Sequence, residues 1–119
     1  MQNLDLIAAQ TAPLILPNIA NEKKEPLINK ALGILAEQGP FAMMLWARSQ
    51  GEGNIGSLWR GHLSAMLRQT GLFVSETEDY REWLANFNTQ VCGDFVKLMM
   101  TRQLFERVLI YARHYAKAE

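Results

Sequence analysis

The sequence has little of what catalysis is usually built from. Its 119 residues include a single cysteine, Cys92, so no internal disulfide is available, which fits a reducing compartment. Only two histidines occur, His62 and His114. Neither stands in a metal spacing such as His-x-x-x-His, and Cys92 belongs to no Cys-x-x-Cys pair. Each histidine reads as a surface or boundary residue, and Cys92 as a buried, inert thiol. Long hydrophobic runs are missing too. Stretches such as Phe41 to Ala47 fall far short of the ~20 residues that span a bilayer. The start, Met1-Gln2-Asn3-Leu4-Asp5, is acidic and lacks the basic lead of a secretory signal. Charge of one sign is absent as well: twelve Lys and Arg balance twelve Asp and Glu. The net charge therefore excludes no partner, and only its distribution informs. No alternating apolar and polar stretch is bounded by hairpin turns, so strands have no support. The expectation is a soluble, cytoplasmic, non-enzymatic chain that needs no cofactor and no metal and touches no membrane.

What is present is helical. With 49% hydrophobic residues the chain has material for one core, and residues 1–119 read as one domain. Asn3 can cap a first helix running toward Ile19, broken or kinked at Pro13 and Pro17. Asn21 to Glu25 reads as a solvated link, after which Pro26 suits a first helical turn. Leu27, Ile28, Ala31, Leu32, Leu35 and Ala36 form one apolar face. Gly39 stops that helix and Pro40 starts the next, which is apolar almost all round from Phe41 to Ser49 and so reads as buried. Residues 51–54 read as a turn. A fourth helix, Ile55 to Thr70, buries Ile55, Trp59, Leu63, Met66, Leu67 and Thr70 and closes at Gly71. Ser75 and Glu78 have the spacing of a capping box for a fifth helix, whose inner face is Tyr80, Trp83, Leu84, Phe87 and Val91. A short helical piece covers Asp94 to Met99, and Thr101 caps a last helix reaching about Lys117. Brief connections between such segments predict an all-α, compact, single-domain helical bundle of about five to six helices.

The balanced charge is divided near the C-terminal end. Residues 76–94 hold Glu76, Glu78, Asp79, Glu82 and Asp94 against Arg81 alone, and residues 95–119 hold Lys97, Arg102, Arg107, Arg113 and Lys117 against Glu106 and Glu119. On a helical wheel Arg102, Glu106, Arg107, Ile110, Arg113, His114 and Lys117 share one half, and Leu104, Phe105, Val108, Leu109, Tyr111, Ala112, Tyr115 and Ala116 the other. The first half reads as facing out, with four cations and one anion. It fits a plain solvated helix end stabilised by late cations, or a face for phosphates. Arg60 and Arg68 form a weaker set on the fourth helix.

Other suggestive patterns have structural explanations. The acidic group around Glu76 to Glu82 suits a helix start. Gly51-x-Gly53-x-x-Gly56 matches a dinucleotide pattern, but no strand precedes it. Trp46, Trp59, Trp83, Tyr111 and Tyr115 lie on apolar faces and read as core.

Two stretches carry a family resemblance. Leu32-Gly33-Ile34-Leu35-Ala36-Glu37-Gln38-Gly39-Pro40-Phe41-Ala42-Met43-Met44-Leu45-Trp46 resembles the helix–Gly–helix centre of the small subunit of type III-B (Cmr-type) CRISPR RNA-guided effector complexes. Phe95 to Met100, Thr101 and then Leu104 to Ala116 resemble that family's ending. Together they cover about a third of the chain. The resemblance implies a helical subunit that takes part in antiviral defense. It would stack in copies and bind guide and target RNA backbone without sequence preference, beside larger protein subunits that cut. Phosphate neutralisation needs only cations on accessible faces. Carried over to this sequence, the RNA-binding residues are Lys97, Arg102, Arg107, Arg113 and Lys117, with Arg60 and Arg68 second.

Two other readings stay open on the residues alone. One is a helical protein–protein adaptor without nucleic acid, its acidic 76–94 and basic 95–119 segments suited to head-to-tail contacts. The other is a small-molecule or helix-turn-helix regulator, which the apolar helix at 41–49 disfavours because a recognition helix needs polar side chains.

Overall fold

The structure, a computed structural model, describes residues 3–50 and 55–118, and every regular element among them is helical. The chain opens as the sequence predicts. The Asn3 side chain accepts from the Leu6 amide at 3.1 Å and caps α1 (Leu4–Thr11). Pro13 then tightens the chain into one 3-10 turn, Ala12–Ile15, because a proline cannot extend the α-helical ladder. Asn18 takes a left-handed φ of 69° and turns the chain into the next element.

α2 (Asn21–Gln38) begins five residues before Pro26. The solvated link expected at residues 21–25 is thus the first turn and a half of the helix. A proline this close to the N-terminal end removes one intrahelical bond. Lys24 and Ile28, buried on one stripe, hold the early turns to the body of the fold. Gly39, at φ 93°, ends α2 in a conformation costly for any side chain, and Pro40 opens α3 (Pro40–Ser49) at once. α3 is less buried than its composition predicts: Met43, Met44 and Ala47 face inward while Leu45 is half exposed.

α4 (Ile55–Gln69) follows. The turn expected at residues 51–54 lies outside the described residues, with the first two glycines of the Gly-rich pattern. The third, Gly56, has a packing role. A Cβ there would meet the Cα of Arg48 at 2.7 Å, so α3 and α4 cross where only glycine fits. The inner face of α4 is buried as expected, through Ile55, Trp59, Leu63, Met66 and Leu67.

The predicted capping box does not form. Residues 73–79 are irregular, since Leu72 and Phe73 are drawn into the core immediately after α4. α5 (Tyr80–Phe87) is instead capped by Asp79, whose Oδ1 accepts from the amides of Arg81 and Glu82 at 3.0 and 3.4 Å. Its last turn widens into a π-helical turn, Asn88–Cys92. Nor does Thr101 start a helix. α6 runs unbroken over Phe95–Ala118, with Asp94 accepting from the Lys97 amide at 3.1 Å. Thr101 is fully buried within it, and its Oγ1 has no partner among the described residues.

An aromatic spine joins these helices. Phe87 stacks between Trp83 at 5.1 Å and Phe105 at 6.2 Å, and Phe73 stands edge-on to Trp83 and Phe87 at 5.4 and 5.5 Å. Such geometries add to the burial of large rings. The two fully buried indoles are satisfied: Trp59 donates to the Ile15 carbonyl at 2.8 Å and Trp83 to Ser64 Oγ at 3.2 Å. α6 packs most extensively on α2 and α1, which decides where its charged side chains go.

Candidate nucleic-acid interface

The basic half of α6 does not project freely. α2 and α6 run antiparallel, and three cations of α6 reach across the seam between them. Lys117 Nζ lies 3.7 Å from Glu25 Oε1, Arg113 donates to Asn29 Oδ1 at 3.4 Å, and Arg102 donates to the Ala36 carbonyl. On α2 these partners recur at i, i+4 and i+11, one stripe of the helix. Between them, Leu32 and Leu35 of α2 and Ile110, Glu106 and Arg113 of α6 line a cavity of about 310 Å³. Ile110, expected in the open, is half-buried there.

Arg107 departs from the group. It turns to α1, on the other flank of α6, and pairs with Asp5 Oδ1 at 2.8 Å. The Tyr111 hydroxyl donates to the same carboxylate, 2.8 and 2.7 Å from its two oxygens. The Tyr111 bond, together with Arg107, holds the Asp5 carboxyl below its usual range, and the bond to Asp5 pushes the Tyr111 phenol up. The single basic face read from the wheel is therefore corrected. The structure brings together Arg102, Arg113 and Lys117 and sends Arg107 elsewhere, because α6 has a neighbouring helix on each side. Lys97 sits at the start of α6, half-exposed.

Arg60 and Arg68 form a separate site on α4. Arg60 donates to the Thr77 carbonyl at 3.0 Å and lies over the Tyr80 ring at 5.9 Å, with Arg48 at 5.5 Å from the same ring. Tyr80 donates its hydroxyl to the Met44 carbonyl at 2.8 Å, and burial pushes its pKa up despite the two cations. Arg68 stands 3.9 Å from Glu76. Arg60 is thus a structural clamp on the irregular 73–79 segment, and Arg68 is an exposed cation.

The ion pairs are weakly held. Side-chain exposures are 56% and 44% for Lys117 and Glu25, 56% and 51% for Arg107 and Asp5, and 65% and 79% for Arg68 and Glu76. Pairs in such high-dielectric positions are worth ~0–1 kcal/mol each, so a phosphate can replace the carboxylate at little cost.

A second feature was not foreseen. Phe95, Val96 and Met99, on the first turns of α6, are 76%, 63% and 40% exposed. Met99 lines a cavity of about 350 Å³ together with Phe41, Cys92, Leu98, Glu37 and Arg102. The signal in the sequence is the apolar pair Phe95-Val96 directly after Gly93-Asp94, at the start of a helix. Tyr115, read as core, is likewise nearly half exposed. Cys92 is half-buried, and burial pushes its thiol up, away from the nucleophilic thiolate. Among the described residues no three His, Cys, Asp or Glu side chains gather where they could hold a metal ion, and no helix is long and apolar enough to cross a membrane. No family model, curated protein or solved structure matches this chain.

Proposed function

We propose that this chain is a non-catalytic small subunit of a type III-B CRISPR RNA-guided effector complex, which stacks in copies and bears on RNA backbone through the α2/α6 seam. The observation that carries the reading is the row Arg102, Arg113, Lys117. It extends over sixteen residues of one helix, a span of about 22 Å at 1.5 Å per residue step. It borders a shallow groove and carries cations whose present partners are a carbonyl, an amide and one exposed carboxylate. The resemblance of residues 32–46 and 95–116 to that family's small subunit supplies the RNA-guided context. The exposed ridge of Phe95, Val96 and Met99 supplies a surface for the protein neighbours that such an assembly requires.

Three phosphate contacts on single-stranded RNA give a slope of about −2 in log K against log salt. The test is a titration of single-stranded RNA at several salt concentrations with the native chain and with the R102E/R113E variant. A shallow slope in the native chain, or equal slopes in both proteins, removes the seam as the RNA-binding surface. Co-purification of the tagged chain with guide RNA and larger subunits tests the assembly itself.

The second reading, a helical adaptor that binds protein only, is favoured by one specific fact: the cations of the seam are all engaged within the fold, whereas Phe95 and Val96 on α6 stand mostly exposed. In that case the R102E/R113E variant assembles normally and the native chain binds no RNA.

A further inference from the structure

A further cavity lies away from the seam, on the opposite side of α2. It measures about 500 Å³, within the range of small-molecule sites. Its walls are Ile19, Leu27, Ile55 and the half-buried Trp46, whose indole is held edge-on to Trp59 at 6.2 Å. Trp59 is in turn anchored by its bond to Ile15, so the Trp46 wall rests on a fixed support. Two cations stand on the cavity's edge. Lys23 and Lys30 lie about 10 Å apart along α2, two turns of the same stripe. No carboxylate is among the described residues that line it. The amide of Gln50 is also on the wall.

An apolar pocket with the exposed Lys30 at its edge selects for a molecule with two ends. We propose that this cavity binds a small amphipathic anion, a planar body of one or two rings carrying a carboxylate or phosphate, with the rings against Trp46 and Leu27 and the acid at Lys30. The apolar walls favour a body that sheds water. The helix edge places a charge at the mouth, where it keeps its own solvation until the ligand's acid meets it. The same chemistry is offered by a free aromatic acid and by a nucleotide. The site shares no residue with the seam, so it stands whether or not the seam binds RNA.

The experiment is a titration of the isotope-labelled full chain with 2-naphthoate, with its neutral counterpart 2-naphthamide and with uridine monophosphate, followed by amide and indole proton–nitrogen shifts. Saturable shifts centred on Leu27, the Trp46 indole and Ile55 are expected with naphthoate, with binding about tenfold weaker for the amide and for the K30E variant. Lys30 is exposed, so K30E leaves the fold intact. Filling the pocket with L27W should abolish the shifts. Tighter binding of uridine monophosphate than naphthoate identifies a nucleotide as the source, and the reverse identifies an aromatic acid. No saturable shift with either anion, or equal affinity in the native chain and K30E, overturns the proposal.

Discussion

The indole nitrogen of Trp59 on α4 donates to the carbonyl of Ile15, forty-four residues earlier, at 2.8 Å. Ile15 closes the 3-10 turn that Pro13 imposes, so its carbonyl is outside any helical ladder and is buried with its residue. The bond locks the irregular end of the first segment onto the centre of the fold. Trp59→Phe leaves that carbonyl unpaired and opens space beside Trp46. The expected loss is about 2–4 kcal/mol, read as a lower urea midpoint with an unchanged m-value.

Gly56→Ala tests the α3/α4 crossing. The added methyl would sit 2.7 Å from the Arg48 Cα, a backbone atom that moves only with its helix. A destabilisation of about 1–3 kcal/mol is expected by thermal or chemical denaturation. Substitution of Gly33, which has open space around its Cβ position, should instead be neutral or stabilising through helix propensity.

The Asp5 cluster gives a pH dependence with a definite sign. The Asp5 carboxyl is lowered from its ordinary 3.8, so its contribution is present above that value and is lost as pH falls through the folded one. The Tyr111 phenol is raised from 10.0, so its contribution is complete below that value and is lost as pH rises through the folded one. Asp5→Asn should therefore lower the melting temperature at neutral pH, with the gap to the native chain closing at both acidic and strongly alkaline extremes. A gap independent of pH would show that the cluster contributes through shape alone.

The ridge on α6 is separable from folding. Phe95→Asp with Met99→Asp changes side chains already exposed, so the melting temperature should move by only a few degrees. Loss of co-purification with protein neighbours, or of self-association in sedimentation, is expected at the same time. Retention of both would remove the ridge as a contact surface.

The seam cations should matter more to RNA binding than to folding. If Lys117–Glu25 and Arg113–Asn29 are cheaply exchanged for phosphates, then Lys117→Ala and Arg113→Ala each cost at most about 1 kcal/mol in stability. Combined, they should flatten the salt dependence of RNA binding by more than they destabilise the fold, measured on the same preparations.

Local signals were legible where one residue's chemistry settles the matter. Asn3 as a cap, Pro13 as a stop, Gly39-Pro40 as a boundary and the inner faces of α4 and α5 all appear as the sequence predicts. The misreadings share one cause. The sequence pattern puts Pro26 in a first helical turn although it is the sixth residue of α2, and it offers Ser75 and Thr101 as caps, roles they do not hold. In each case the deciding interaction is tertiary: Lys24 and Ile28 seating the early turns of α2, Phe73 pulled into the aromatic spine, Thr101 buried in a continuous helix.

The sequence alone determined that this chain is helical and where most helices end. Periodicity, caps, prolines and glycines act within a turn or two and need no distant partner. Only the tertiary structure decided which neighbours Arg102, Arg107, Arg113 and Lys117 meet. A helical wheel describes one helix in isolation, and α6 has α2 on one flank and α1 on the other. Those neighbours divide Arg102, Arg113 and Lys117 from Arg107, and they leave Phe95 and Val96 uncovered. Reach and exposure belong to pairs of elements, and a linear pattern holds no record of which elements will meet.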